Sequence, residues 1–161
     1  MKIYLKKGID LFMYSTSYIL FIALPYFIIL DGNKITNKLG ILVSLGFLIL
    51  WFYWSYKNKL GFWLGIVVGC IGASGGIILG IVSLLCFFLN SLDAYSLYIV
   101  GPWMLPLTPL FEYIPSYGFI NNFLGHISVI LVIILTGIGG YIGRIKKIIF
   151  IDIHSLFYNK F

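Results

Sequence analysis

Charge is scarce in this chain. Of its 161 residues five are acidic and eleven are lysine or arginine, and charged residues make up 10% of the whole, against about 25% in a soluble domain. Hydrophobic residues reach 61%. A polar skin cannot be drawn over that much apolar surface, so the composition excludes a water-soluble globule and calls for lipid as the solvent. Cysteine is nearly missing too. Cys70 and Cys86 sit in one apolar run, and sixteen residues of helix would hold them roughly 24 Å apart. A disulfide needs Cα atoms within about 7 Å, so the two read as small buried apolar side chains.

Other absences narrow the chemistry. There is no Asn-x-Ser/Thr acceptor, no glycine after Met1 for myristoylation and no prenylation signal at the end. There is no His-Glu-x-x-His, no phosphate-binding loop with its Lys-Ser/Thr and no dinucleotide fingerprint. The reading therefore expects no cofactor and no metal. The net charge of +6 would suggest nucleic acid in a soluble protein. Here the basic residues fall in short gaps between apolar runs, so they read as topology signals and no nucleic-acid partner is expected.

What is present is apolar length. Four runs suffice for a helix across a bilayer, which takes about 20 residues: roughly 11–30, 39–56, 60–89 and 123–143. They lack the alternation of barrel strands, so helices are expected. The first run is longer than a signal-peptide core and no Ala-x-Ala-like site follows it, so it reads as a retained span. Nine basic residues (Lys2, Lys6, Lys7, Lys57, Lys59, Arg144, Lys146, Lys147, Lys160) fall on one side of this arrangement and two (Lys34, Lys38) on the other. The positive-inside rule then puts both termini in the cytoplasm. Trp51, Trp54 and Trp63 bracket the basic turn, as expected where two helices meet the inner headgroups.

The expected fold is thus a single all-α membrane domain over 1–161, with four spans, N-in and C-in, in the cell membrane. Pro25 should kink the first span. The third run, near 30 residues, is too long for the hydrocarbon core and should tilt, protrude, bend at Gly75-Gly76 or fold back. Residues 91–122 hold Pro102, Pro106, Pro109 and Glu112, which disfavour a fifth span. They read as an extracytoplasmic segment at the interface or dipping into the helix cluster. The tail 148–161 reads as an amphipathic stretch along the inner leaflet.

Glycine is abundant where a soluble helix would avoid it. In "GFWLGIVVGCIGASGGIILG" (61–80), Gly61, Gly65, Gly69, Gly72, Gly76 and Gly80, with Ser83, fall within one arc of about 100° on a helical wheel. Gly125, Ser128, Thr136, Gly139 and Gly143 repeat the pattern in the fourth run. In lipid, two apolar side chains gain nothing by meeting, so close backbone approach is what holds helices together, and glycine permits it. The pattern fits packing within the chain first and packing against a second subunit as the alternative.

Residues that could carry chemistry are few. Asp10 lies one turn from Lys6 at the edge of the first run, and Asp152 and His154 lie in the tail. Asp93, Glu112 and His126, with Asn121 and Asn122, belong to the outer side and are the candidates for acid–base work or metal binding, although their spacing matches no metal signature. "GASGG" (72–76) matches Gly-x-Ser-x-Gly around Ser74, but inside an expected span rather than on a strand-to-helix turn. Mid-membrane charge of the kind used in ion-coupled transport is absent. The reading favours a non-enzymatic accessory, assembly or immunity-type component acting through helix–helix contacts with partner helices or in a homo-oligomer. The alternatives are a small permease or channel subunit, and an intramembrane enzyme using Asp93, Glu112 and His126.

Overall fold

The computed structural model describes residues 2–30, 34–89, 94–111 and 123–158, with side chains placed at 2–29, 38–89, 95–111 and 123–148. Among these residues the chain is helical, with no strand. Three helices are long and apolar enough to cross a membrane, or four if one bent pair counts as a single span.

The first crossing, Lys2–Ile29, joins α1 (Lys2–Tyr18), a π-helical turn (Ile19–Ala23) and α2 (Leu24–Leu30). Proline has no N–H to answer the carbonyl one turn back. Just ahead of Pro25 the backbone widens, and the Leu24 N–H donates to the Ile19 carbonyl five residues earlier. The expected kink is thus met by a π turn. α3 (Lys34–Asn58) follows as the second crossing.

The third run is broken. α4 (Phe62–Gly72) and α5 (Ser74–Leu89) meet at 66°, with Ala73 at φ −90°, ψ 10° between them. The bend falls two residues before the expected Gly75-Gly76. Those two glycines instead make room for aromatic rings. A Cβ on Gly76 would come within 2.6 Å of the Trp103 indole, and one on Gly75 within 3.2 Å of the Phe12 ring.

Trp103 belongs to a chain of short turns running from a 3-10 turn (Ala94–Val100) through α6 (Gly101–Met104) and a second 3-10 turn (Leu105–Leu107) to α7 (Thr108–Phe111). Pro102, Pro106 and Pro109, near the starts of the last three, keep those turns short. The segment wedges into the bundle: Trp103, Pro106, Leu107 and Pro109 are buried. Trp103 meets Trp51 edge-on at 6.2 Å, the Ser44 hydroxyl donates to the Pro106 carbonyl at 2.8 Å, and Pro109 lies against Gly40. Residues 94–111 thus pack against the helices through these side chains. Residues 112–122 lie outside the described residues, as do residues 31–33.

The last helix, α8 (Leu124–Tyr158), has 35 residues, about 52 Å of rise. Its backbone continues without a break through 148–158, so the expected separate tail is here a continuation of the fourth span up to Tyr158.

Contacts fix the relative directions. Gly139 lies against the Phe52 carbonyl and Gly143 against that of Tyr56, so α3 and α8 run the same way. Gly65 faces Thr136 while Gly69 faces Ile133 and Thr136, so α4 runs against α8. Tyr14 meets Trp54 at 4.9 Å, and the Tyr18 hydroxyl donates to the Val43 carbonyl at 2.7 Å. The first crossing therefore runs against α3. Leu11, Phe47, Trp51, Val68, Leu107 and Val132 fill the centre. Outward, Phe21 and Trp63 are each 77% exposed and Leu89 81%, an apolar exterior compatible with lipid.

Candidate functional site

The glycine arc does not present one smooth face to one helix. Because the run bends at Ala73, its glycines serve different neighbours. Gly61 is beside Arg144, Gly65 and Gly69 meet α8, Gly72 meets Leu11 and Trp51, Gly76 meets Trp103, and Gly80 meets His126. All six are buried. In α8, Gly125 lies against Val100. The Ser128 hydroxyl turns back to the Gly125 carbonyl at 2.6 Å, and that of Thr136 to the Val132 carbonyl at 2.6 Å. Local bonds of this kind satisfy hydroxyls where lipid offers no partner. Gly139 and Gly143 form the seam with α3.

Close approach extends to glycines outside either pattern. Gly8 meets Ile71, Gly46 meets the Tyr18 hydroxyl, and Gly140 faces the Gly61 carbonyl. None of them belongs to the arc or to its repeat in the fourth run, so periodicity alone does not single them out.

His126 sits in the first turn of α8, half-buried, its Nε2 3.3 Å from the Gly80 carbonyl and its ring 5.7 Å from that of Phe123. Its Nδ1 has no partner among the described residues. Asp93 and Glu112, the carboxylates expected beside it, lie outside the described residues, as do Asn121 and Asn122. Among the described residues no three His, Cys, Asp or Glu gather in a way that would hold a metal. Ser74 opens α5 and is half-buried. It lies six residues, or about 9 Å of helix rise, from the glycine that His126 touches.

A different group of residues is brought together where the end of α3 lies beside the middle of α8. A groove of about 660 Å³ is lined by Tyr53, Tyr56, Lys57, Lys59, Gly143, Lys146 and Lys147. Among the described residues no acidic side chain lines it. The Lys146 ammonium sits 5.9 Å from the centre of the Tyr56 ring, within cation–π range. Tyr56 in turn stacks on Phe52 and Tyr53.

The two walls are held in register by backbone. The turn after α3 is short. Lys59 adopts φ 51° and Gly61 φ 80°, and the Gly61 N–H donates across to the Gly140 carbonyl at 2.9 Å. A Cβ on Gly140 would stand 2.5 Å from the Gly61 oxygen, so only glycine allows that bond. On the other flank of α8 a smaller groove of about 390 Å³ is lined by Gly61, Phe62, Trp63, Tyr141, Arg144, Ile145 and Ile148. In the sequence these basic residues count only as topology signals. The short gap 58–61 and the pair Gly139 and Gly143 are the features that draw them together.

Comparison with protein-family models, with curated proteins and with solved structures finds no match.

Proposed function

We propose that this chain is a multi-pass protein of the cell membrane, with both termini cytoplasmic, acting as a non-enzymatic accessory or assembly-type component through contact with partner membrane helices. The observation that carries the reading is the chemistry of the interior. Among the described residues the fully buried polar side chains are hydroxyls: Ser15, Ser44, Ser55, Ser83, Ser128 and Thr136. Buried charge marks ion and proton pathways, and none is found there. The seams close on backbone, which makes a tightly packed body rather than a conduit.

The orientation is supported by the gathering of Lys57, Lys59, Lys146 and Lys147 about one groove, added to the nine-to-two division of basic residues. The extracytoplasmic position of 94–111 follows from the same division, since that segment lies toward the opposite ends of α3 and α8, beside Gly40 and Gly125. The glycine arc is engaged within the chain, so the partner in this reading meets the outward apolar side chains.

The orientation is tested in a Cys70→Ser/Cys86→Ser background. An impermeant maleimide added from outside should label Tyr98→Cys and spare Lys57→Cys, and the opposite pattern would invert the topology. The functional reading is tested by photo-crosslinking in the membrane from outward positions Phe21, Ile28, Ile81 and Phe88. A discrete protein adduct from one face and lipid adducts from the others is expected. Lipid adducts everywhere, together with solute flux through the purified chain in liposomes, would overturn it.

A further inference from the structure

Four lysines line the groove where the end of α3 lies beside the middle of α8, and among the described residues no carboxylate lines it to balance them. We propose that this groove is a binding site for the phosphate of one anionic phospholipid headgroup, with Lys57, Lys59, Lys146 and Lys147 as its ligands and Tyr53 and Tyr56 as its aromatic wall. The proposal rests on the membrane-spanning reading and is independent of any protein partner.

Three further observations point to a formed site rather than a scatter of surface charge. First, the walls are fixed before anything binds. The bond from the Gly61 N–H to the Gly140 carbonyl ties the lysine-bearing turn to α8, and Gly143 brings the backbone of α8 against the Tyr56 carbonyl to make the floor. Ligand groups held in advance lose less freedom on binding.

Second, Lys59 holds a left-handed backbone, a conformation that glycine adopts freely and a lysine adopts at a cost. Such departures gather at binding sites, where the surrounding structure enforces them. Here the departure carries an ammonium to the groove.

Third, Lys146 lies over the Tyr56 ring, which steadies a long side chain that would otherwise roam through water. The volume of about 660 Å³ falls within the range of small-molecule sites. Tyrosines beside lysines at the end of a bundle suit the headgroup level, with acyl chains running down the apolar surface outside. Basic pockets between membrane helices on the cytoplasmic side suit anionic headgroups.

The test is native mass spectrometry of the full chain in mild detergent with phosphatidylglycerol or phosphatidylcholine at equal concentration. One phosphatidylglycerol adduct should persist under conditions that strip phosphatidylcholine. Lys146→Gln/Lys147→Gln should weaken it about 30-fold, taking roughly a kilocalorie per lysine at a membrane surface. Lys2→Gln/Lys6→Gln, which removes the same charge outside the groove, should leave it unchanged.

Lys59→Gly should raise the unfolding midpoint by about 2–4 °C and still weaken the adduct, while Lys59→Arg retains it. That opposition between stability and binding is not expected of a turn residue with no ligand. Equal retention of both lipids, equal loss in the two double variants, or unchanged binding in Lys59→Gly would overturn the proposal. Displacement of the adduct by millimolar inorganic phosphate would move the assignment from lipid to a free anion and overturn it as stated. The adduct is read on the isolated chain, so absence of a crosslinked partner leaves this result standing, and the reverse holds.

Discussion

The seam between α3 and α8 offers the sharpest test of how this bundle is held. Gly139 and Gly143 lie one turn apart on α8 and press on the carbonyls of Phe52 and Tyr56, one turn apart on α3. A Cβ added at either glycine would stand closer than 3.0 Å to a backbone oxygen, where ordinary contact begins near 3.4 Å. A carbonyl cannot swing aside as a side chain can, so the helices must part by at least several tenths of an ångström. Overpacking costs typically 1–3 kcal/mol, and alanine returns about 1 kcal/mol of helix propensity over glycine. The net range is about 0–2 kcal/mol, and because both clashes fall on backbone, Gly139→Ala and Gly143→Ala should each sit in its upper half, at about 1–2 kcal/mol. One displacement clears both carbonyls, so the double variant should cost little more than either single, and the cycle should fall short of additivity by roughly 1 kcal/mol. Gly101→Ala is the control, since nothing lies within 4 Å of its Cβ position, and should stay within about 0.5 kcal/mol of wild type. Reversible SDS titration in mixed micelles, followed by circular dichroism, measures all four. Gly139→Ala behaving like Gly101→Ala would refute the seam, and full additivity would refute its being one rigid contact.

Removing the indole in Trp103→Ala should empty the space against Trp51, Gly75 and Gly76 and cost about 3–5 kcal/mol, read by the same titration. A loss under 1 kcal/mol would show that the segment does not wedge into the bundle. Ser44→Ala deletes the buried donor to the Pro106 carbonyl and should cost about 1–2 kcal/mol. It should also raise protease sensitivity within 94–111 before the rest of the chain opens, and unchanged proteolysis would place the anchor elsewhere. Tyr18→Phe removes the hydroxyl that reaches the Val43 carbonyl while keeping the ring against Phe47. Its loss should be smaller, near 0.5–1 kcal/mol, and a loss as large as that of Trp103→Ala would mean that the carbonyl is left stranded.

Much of this architecture is legible in the sequence because the bilayer imposes it. Apolar runs of about 20 residues between lysines must become helices, and the excess of glycine over what a helix tolerates in water reveals that backbones meet. The sequence is less informative about which backbones meet. The arc from Gly61 to Gly80 is continuous on a straight helical wheel, but its packing depends on Ala73, whose side chain gives no sign of a bend. Trp103 packs on Gly75 and Gly76 just beyond the break, a contact between residues far apart in the chain, and local propensity does not encode such contacts. Asp93 and Glu112 were singled out beside His126 on chemistry and side alone, and they lie outside the described residues. The basic groove was hidden for the opposite reason. Lys57 and Lys146 are 89 positions apart, and each is fully explained as a topology signal, so nothing local asks for a second role.

The two roles are physically compatible. A lysine that fixes orientation need only lie on the correct side of the membrane, and most such residues are free to wander in the headgroups. Here, three backbone details remove that freedom: the Gly61 to Gly140 bond, the left-handed Lys59 and the Gly143 floor. None is needed to set topology, which responds to charge count and not to geometry. A charge cluster that only oriented the chain would survive Gly140→Ala with its insertion intact, and so should this one. A site built for a headgroup would not, because Gly140→Ala forces the Gly61 carbonyl away and takes the Lys57–Lys59 wall with it. The variant should therefore insert with normal topology, as judged by the maleimide pattern, and lose the phosphatidylglycerol adduct. Retention of both would reduce the groove to an accident of where α3 ends beside α8.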